Sequence, residues 1–149
     1  MRTSFREPRL TGYPIVPITA PVTQVPGAQS CQAGPRPSAR GLDARRLGRV
    51  IETIHEKIGE RISVSMLSSV AGLSRSHFSH VFRTSVGRTP HKQIVCLRIE
   101  HAMKLMARAD VPLSDIALAA GFSDQAHFSN TFRRTIGKTP GEWRRDIQS

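Results

Sequence analysis

The stretch Ala71-Gly72-Leu73-Ser74-Arg75-Ser76-His77-Phe78-Ser79 returns later in the same chain as Ala120-Gly121-Phe122-Ser123-Asp124-Gln125-Ala126-His127-Phe128-Ser129. The match continues outward. Phe82-Arg83 recurs as Phe132-Arg133, and Gly87-Arg88-Thr89-Pro90 as Gly137-Lys138-Thr139-Pro140. The offset is 49 up to the serine and 50 beyond it, which places a one-residue insertion at the start of the second copy's helix. Two copies describe a tandem pair, because stacked solenoids need three or more repeats.

Each copy reads as a short apolar helix, a tight turn and a second helix. Ser63 is the expected cap of the first, which runs through Val64, Met66, Leu67, Val70 and Ala71. Its counterpart follows Pro112, with Ser114 as the expected cap and Ile116 to Ala120 along it. Gly72 and Gly121 fall where a helix commonly closes on a left-handed residue, and Leu73 and Phe122 are expected to be buried in the turns. Ser74 and Ser123 are the expected caps of the second helices. There the pairs Phe78/Phe82 and Phe128/Phe132, four residues apart, point inward. Two helices joined by a short glycine-containing turn form a helix-turn-helix.

Between the copies, Thr89 as N-cap and Pro90 at the first helical position open a long helix through Arg108. Ile94, Leu97, Ala102, Leu105 and Met106 are its apolar positions, and Val95 and Ile99 widen the stripe as contact with both units requires. Nineteen residues at about 1.5 Å each span about 28 Å, comparable to the roughly 34 Å between successive major-groove faces on one side of B-DNA. Ahead of the first copy, Leu47, Val50, Ile51, Ile54 and Ile58 recur at spacings of three and four, predicting an amphipathic helix capped by Asp43 and ending near Gly59.

Seven of the ten prolines lie in the first 40 residues, so residues 1–41 read as a disordered Pro-rich tail, with a short strand over Tyr13 to Ile18 as the alternative. The chain of 149 residues carries 22 Lys and Arg against 11 Asp and Glu, a formal net charge of +11. That excess points to a polyanion, double-stranded DNA ahead of a membrane surface. Apolar runs are too short to span a bilayer, and the first residues lack the apolar core of a secretory signal, so a cytoplasmic protein is expected. Cys31 and Cys96 are too few for a disulfide scaffold. Cys96 is expected to be a small buried hydrophobe, and Cys31 an exposed thiol in the tail.

With the phenylalanines inward, the outward residues are Arg75, Ser76, Ser79, His80 and Arg83 in the first copy, and Gln125, Ala126, Ser129, Asn130, Arg133 and Arg134 in the second. Ser, His, Gln and Asn can hydrogen-bond base edges, while Arg reaches a guanine edge or a phosphate. The competing interpretation is an ordinary solvated helix face. Its occurrence twice in so basic a chain favours DNA. His77 and His127 are expected to be partly packed beside the phenylalanines. His77 and His80 are spaced as metal ligands could be, yet lack a third, so no metal is expected. Trp143 is expected to close the second unit's core. No nucleophile triad, phosphate-binding loop or paired carboxylate occurs, so neither catalysis nor a cofactor is expected.

From about Leu42 to Arg145 the chain resembles the DNA-binding domain of the AraC/XylS family of bacterial transcription regulators. The match is densest in Arg98-Ile99-Glu100-His101-Ala102, Ile116-Ala117, Gly121-Phe122-Ser123-Asp124-Gln125, His127-Phe128-Ser129, Phe132-Arg133-Arg134, Gly137-Lys138-Thr139-Pro140 and Trp143-Arg144. The resemblance implies an all-α fold of seven helices. Two tandem helix-turn-helix subdomains, homeodomain-like three-helical units, are joined by the long central helix. The first covers residues 42–88, the connecting helix 90–108 and the second 112–149. It further implies that base contacts fall on Ser76, Ser79, His80, Gln125, Ala126, Ser129 and Asn130, with Arg75, Arg83, Arg133 and Arg134 on phosphates. Promoter activation or repression, often with contact to RNA polymerase, is also implied. Where many members carry a sensor domain this chain has its Pro-rich tail, which argues against a small-molecule effector. Two units in one chain make a monomer on DNA sufficient. The alternatives are a regulator acting by protein contact, on polymerase or a paralogue, and a nonspecific architectural binder.

Overall fold

The computed structural model describes residues 41–108 and 110–149. The expected tail, its alternative strand and Cys31 lie outside the described residues, which are otherwise all helix and connecting turn. In order these are α1 (Ala44–Glu56), α2 (Val64–Ala71), α3 (Arg75–Val86), α4 (Pro90–Arg108), α5 (Leu113–Ala119), α6 (Gln125–Ile136) and α7 (Pro140–Gln148).

Local chemistry accounts for most boundaries. The Asp43 carboxylate accepts from the Arg46 backbone N–H at 2.8 Å, Ser63 Oγ from Met66 at 3.1 Å, and Thr89 Oγ1 from Lys92 at 3.3 Å, each satisfying a donor that an open helix end would strand. α7 opens with a capping box, Thr139 and Glu142 bonding each other's backbone N–H groups. α1 stops at Glu56 rather than near Gly59, because Lys57 leaves helical geometry and its N–H closes onto Thr53 O.

α1 and α3 pack on the first half of α4, with α2 set against α1 and α3; α5, α6 and α7 pack on its second half. Two separate cores result. One gathers Val50, Ile51, Ile54, Leu67, Phe78 and Phe82 with Ile94 and Leu97 of α4. The other gathers Ile116, Phe122, Phe128, Phe132 and Trp143 with Ile99, Ala102, Met103 and Met106 of α4. A chain of aromatic rings runs through the second: Phe122–Phe128, Phe128–Phe132 and Phe132–Trp143 follow one another at 5.3, 5.6 and 6.1 Å between ring centroids. Trp143 is fully buried, as expected of a closing residue. Leu73 is only half-buried whereas Phe122 is buried, so the two turns seal unequally. No helix of the described residues is long and apolar enough to cross a membrane.

Candidate nucleic-acid interface

Both second helices are launched by a capped turn. In the first unit Gly72 takes φ +68 at the end of α2, and Ser74 Oγ accepts from the His77 N–H at 3.3 Å. In the second unit Gly121 takes φ +81, but the cap is Asp124 rather than Ser123. The Asp124 carboxylate accepts from the His127 N–H at 2.7 Å, while Ser123 Oγ donates to Asp124 at 3.0 Å and lies 3.2 Å from His127 Nδ1. The inserted residue has therefore taken over the cap, since a carboxylate is the stronger acceptor at a helix N-terminus. These bonds, that of the His127 backbone first and Ser123 second, hold the Asp124 carboxyl below its ordinary pKa. Ser114 is likewise not the cap of α5. Pro112 occupies that position without a side-chain bond, and Ser114 turns to Asp115 at 3.3 Å.

The phenylalanines anchor each helix by its inner face. At about 100° per residue, Ser76, His80 and Arg83 stand about 140–160° from Phe78, as Ala126, Asn130 and Arg133 do from Phe128. All six are exposed. Ser79 and Ser129, nearer the flank, are half-buried, and Arg75, Gln125 and Arg134 are exposed. Ser79 Oγ donates to Arg75 O at 2.9 Å, which leaves its lone pairs to accept. The side chains of Ser76, His80, Gln125, Ser129 and Asn130 make no hydrogen bond to any described residue and are thus uncommitted.

Charge follows the same layout. Neither α3 nor α6 contains a carboxylate. Four acids form ion pairs elsewhere, Asp43 with Arg46, Glu60 with Lys57, Glu100 with Lys104 and Asp146 with Lys138. Among the described residues, none of Arg75, Arg83, Arg133 and Arg134 has a carboxylate within 4 Å, although the Glu142 carboxyl of α7, held below its ordinary pKa chiefly by the Thr139 backbone N–H and hydroxyl, is near enough to Arg133 to be lowered further by it.

Several expected details differ. His77 and His127 are exposed rather than partly packed, His127 meeting Phe122 only edge-on at 5.4 Å. Cys96 is partly exposed rather than buried, and its Sγ accepts a hydrogen bond from Arg88 Nη1 at 3.3 Å. Among the described residues no three His, Cys, Asp or Glu side chains converge as a metal site requires. Two participants escaped sequence reasoning. The Asp124 cap was signalled by its place three residues before His127, matching Ser74 before His77; the Thr139–Glu142 capping box was signalled by its T-x-x-E spacing.

A family model described as a helix-turn-helix domain matches residues 67–146, more than half of the chain. The chain is 40% identical over 73 residues to the probable transcriptional regulator LumQ of Photobacterium leiognathi, covering 49% of this chain and 29% of that protein. It is 35% identical over 104 residues to the RCS-specific HTH-type transcriptional activator RclR of Escherichia coli, covering 70% and 37%. The chain thus spans well under half the length of these relatives. Among solved structures it is similar to an AraC-type transcriptional regulator from Chromobacterium violaceum (TM-score 0.66, 29% identity, 69% of this chain and 92% of that one). It is also similar to the DNA-binding domain of AdpA in complex with a target DNA (TM-score 0.65, 26% identity, 69% and 93%). With the repeat, the two capped units and these likenesses in agreement, the chain belongs to the AraC/XylS family of helix-turn-helix DNA-binding transcription regulators.

Proposed function

We propose that this chain binds specific sites on double-stranded DNA as a monomer, setting α3 and α6 into two successive major-groove segments on one side of the duplex. The observation that carries this is the duplicated outer face: two helices anchored by paired phenylalanines, free of carboxylates, with uncommitted polar side chains at matching positions. Ser76, Ser79, His80, Gln125, Ser129 and Asn130 face base edges as hydrogen-bonding groups, and Ala126 offers an apolar surface for a thymine methyl. Arg75, Arg83, Arg133 and Arg134 hold phosphates and fix the register. The protein works by binding rather than catalysis, and as a DNA regulator it acts in the cytoplasm. Binding the full chain to a randomised duplex library at physiological salt tests this. A two-part motif with its halves about one helical turn apart is expected. No enrichment by the folded protein overturns it.

Contact with RNA polymerase is a second reading, favoured by Leu118. It is a large hydrophobic side chain on α5, 58% exposed, where the others among the described residues are buried or half-buried. On this reading Leu118→Ser lowers promoter output in a reconstituted transcription assay while operator affinity stays unchanged. An unchanged output removes it.

A further inference from the structure

The two hydrophobic cores meet at α4 without merging. Leu97 belongs to one and Ile99 to the other, and the residue between them is Arg98. Its guanidinium donates through Nη2 to Glu60 O at 2.7 Å, a carbonyl in the turn after α1. Its Nε is buried, and burial lowers its pKa. The same guanidinium lies against Gly121, in the turn that launches α6: a Cβ there would strike the Ile58 carbonyl oxygen and stand 2.8 Å from Arg98 Nε. Next to it a Cβ on Gly59 would come within 2.9 Å of Ala119 O. The backbone of the α1–α2 turn in the first unit thus touches the backbone of the α5–α6 turn in the second, and Arg98 bridges the seam. Two glycines permit an approach that no side chain would allow.

We propose that Gly59, Arg98 and Gly121 form a clasp that fixes the orientation of α6 relative to the first unit and so sets the spacing between DNA half-sites that the protein accepts. Packing around α4 alone would leave each unit free to rock on its own half of one helix. A backbone-to-backbone seam with a planar, multi-donor side chain across it removes that freedom. Arg98 is here a positioning residue: it acts on DNA through the turn that carries α6. Its functional consequence rests on the two-helix mode of binding proposed above, whereas the clasp itself can be read without DNA.

The test uses the full chain with spin labels on Glu52→Cys in α1 and Gln148→Cys in α7, in a Cys31→Ser, Cys96→Ala background, comparing Arg98, Arg98→Ala, Arg98→Lys and Gly59→Ala. Each variant is first shown to unfold cooperatively. The expected result without DNA is a narrow distance distribution for Arg98, clearly broadened or displaced in Arg98→Ala and Gly59→Ala, and intermediate in Arg98→Lys, which retains one donor for Glu60 O. The same proteins, unlabelled, are then bound to operators whose half-sites are moved apart by one or two base pairs. The parent is expected to lose at least ten-fold in affinity per inserted pair. The two disrupting variants bind the native spacing more weakly but lose no more than about three-fold on insertion. A merely structural role would weaken all spacings alike. Unchanged distance distributions in folded Arg98→Ala and Gly59→Ala overturn the clasp, and an unchanged spacing profile in variants whose distributions broadened overturns its role in site selection. A parent protein indifferent to spacing overturns the two-helix binding mode, while the distance measurement still decides the clasp.

Discussion

Asn130 sits at the same turn of α6 as His80 does of α3, fully outward and with its amide uncommitted, so it offers both a donor and an acceptor to one base. A bidentate amide contact discriminates by about 1–3 kcal/mol, roughly five-fold to more than a hundred-fold in affinity. The double substitution Ser129→Ala with Asn130→Ala should therefore weaken operator binding by about five-fold or more in a competition assay while leaving nonspecific affinity and the circular dichroism spectrum unchanged. Equal weakening on operator and random DNA would assign these residues to the phosphates. Asp124 makes a different prediction. Its folded pKa is depressed by the bonds it accepts from the His127 backbone and Ser123, so its capping stability is present above the unfolded carboxylate range and lost as pH falls through the folded value. Asparagine caps nearly as well and does not titrate there. Asp124→Asn, which lacks the charge, should melt somewhat below the parent near neutral pH, and the gap should close from about pH 4 downward, measured by thermal melts across that range.

α1 contains an avoidable weakness. Gly48 lies in its interior, is exposed, and has nothing within 4 Å of where a Cβ would stand. Gly48→Ala should stabilise the protein by about 0.5–1 kcal/mol in urea unfolding, because the helix gains propensity and loses no contact. A destabilised variant would mean that the α1 surface is covered in a way the described residues do not reveal. The helices themselves were legible in the sequence wherever periodicity and a cap coincided: Asp43, Ser63, Thr89 and the glycines at 72 and 121 all mark boundaries that the structure keeps. Legibility failed where two residues could serve one role. Ser123 and Asp124 compete for one cap, and Ser114 stands near a helix start that Pro112 had already fixed by its restricted φ. The outward positions followed from the inward phenylalanines, since rotation per residue is fixed. The Arg98 seam did not, because a contact between residues 58–60 and 119–121 leaves no periodic trace in either segment.

A net charge of +11 attracts any polyanion, so the charge alone does not distinguish a specific regulator from an architectural binder. Salt dependence combined with substitution does. Each phosphate neutralised contributes about −0.9 to the slope of log affinity against log salt, so the four arginines proposed to hold phosphates would supply about −3.6 of the total. If Arg75 and Arg83 serve one groove segment and Arg133 and Arg134 the next, Arg133→Ala with Arg134→Ala should shift the slope toward zero by about 1.8 on the intact operator. On a duplex retaining only the half-site read by α3, that shift should largely vanish, because the second unit no longer rests on a defined groove. Fluorescence anisotropy titrations between about 50 and 200 mM salt resolve a difference of this size. A shift of equal magnitude on both duplexes would mean that α6 holds the backbone wherever it lands and that α3 alone chooses the site. The aromatic core beneath α6 and the uncommitted Asn130 on its surface favour the first outcome, since a rigidly packed helix delivers a base contact only where the groove presents the matching edge.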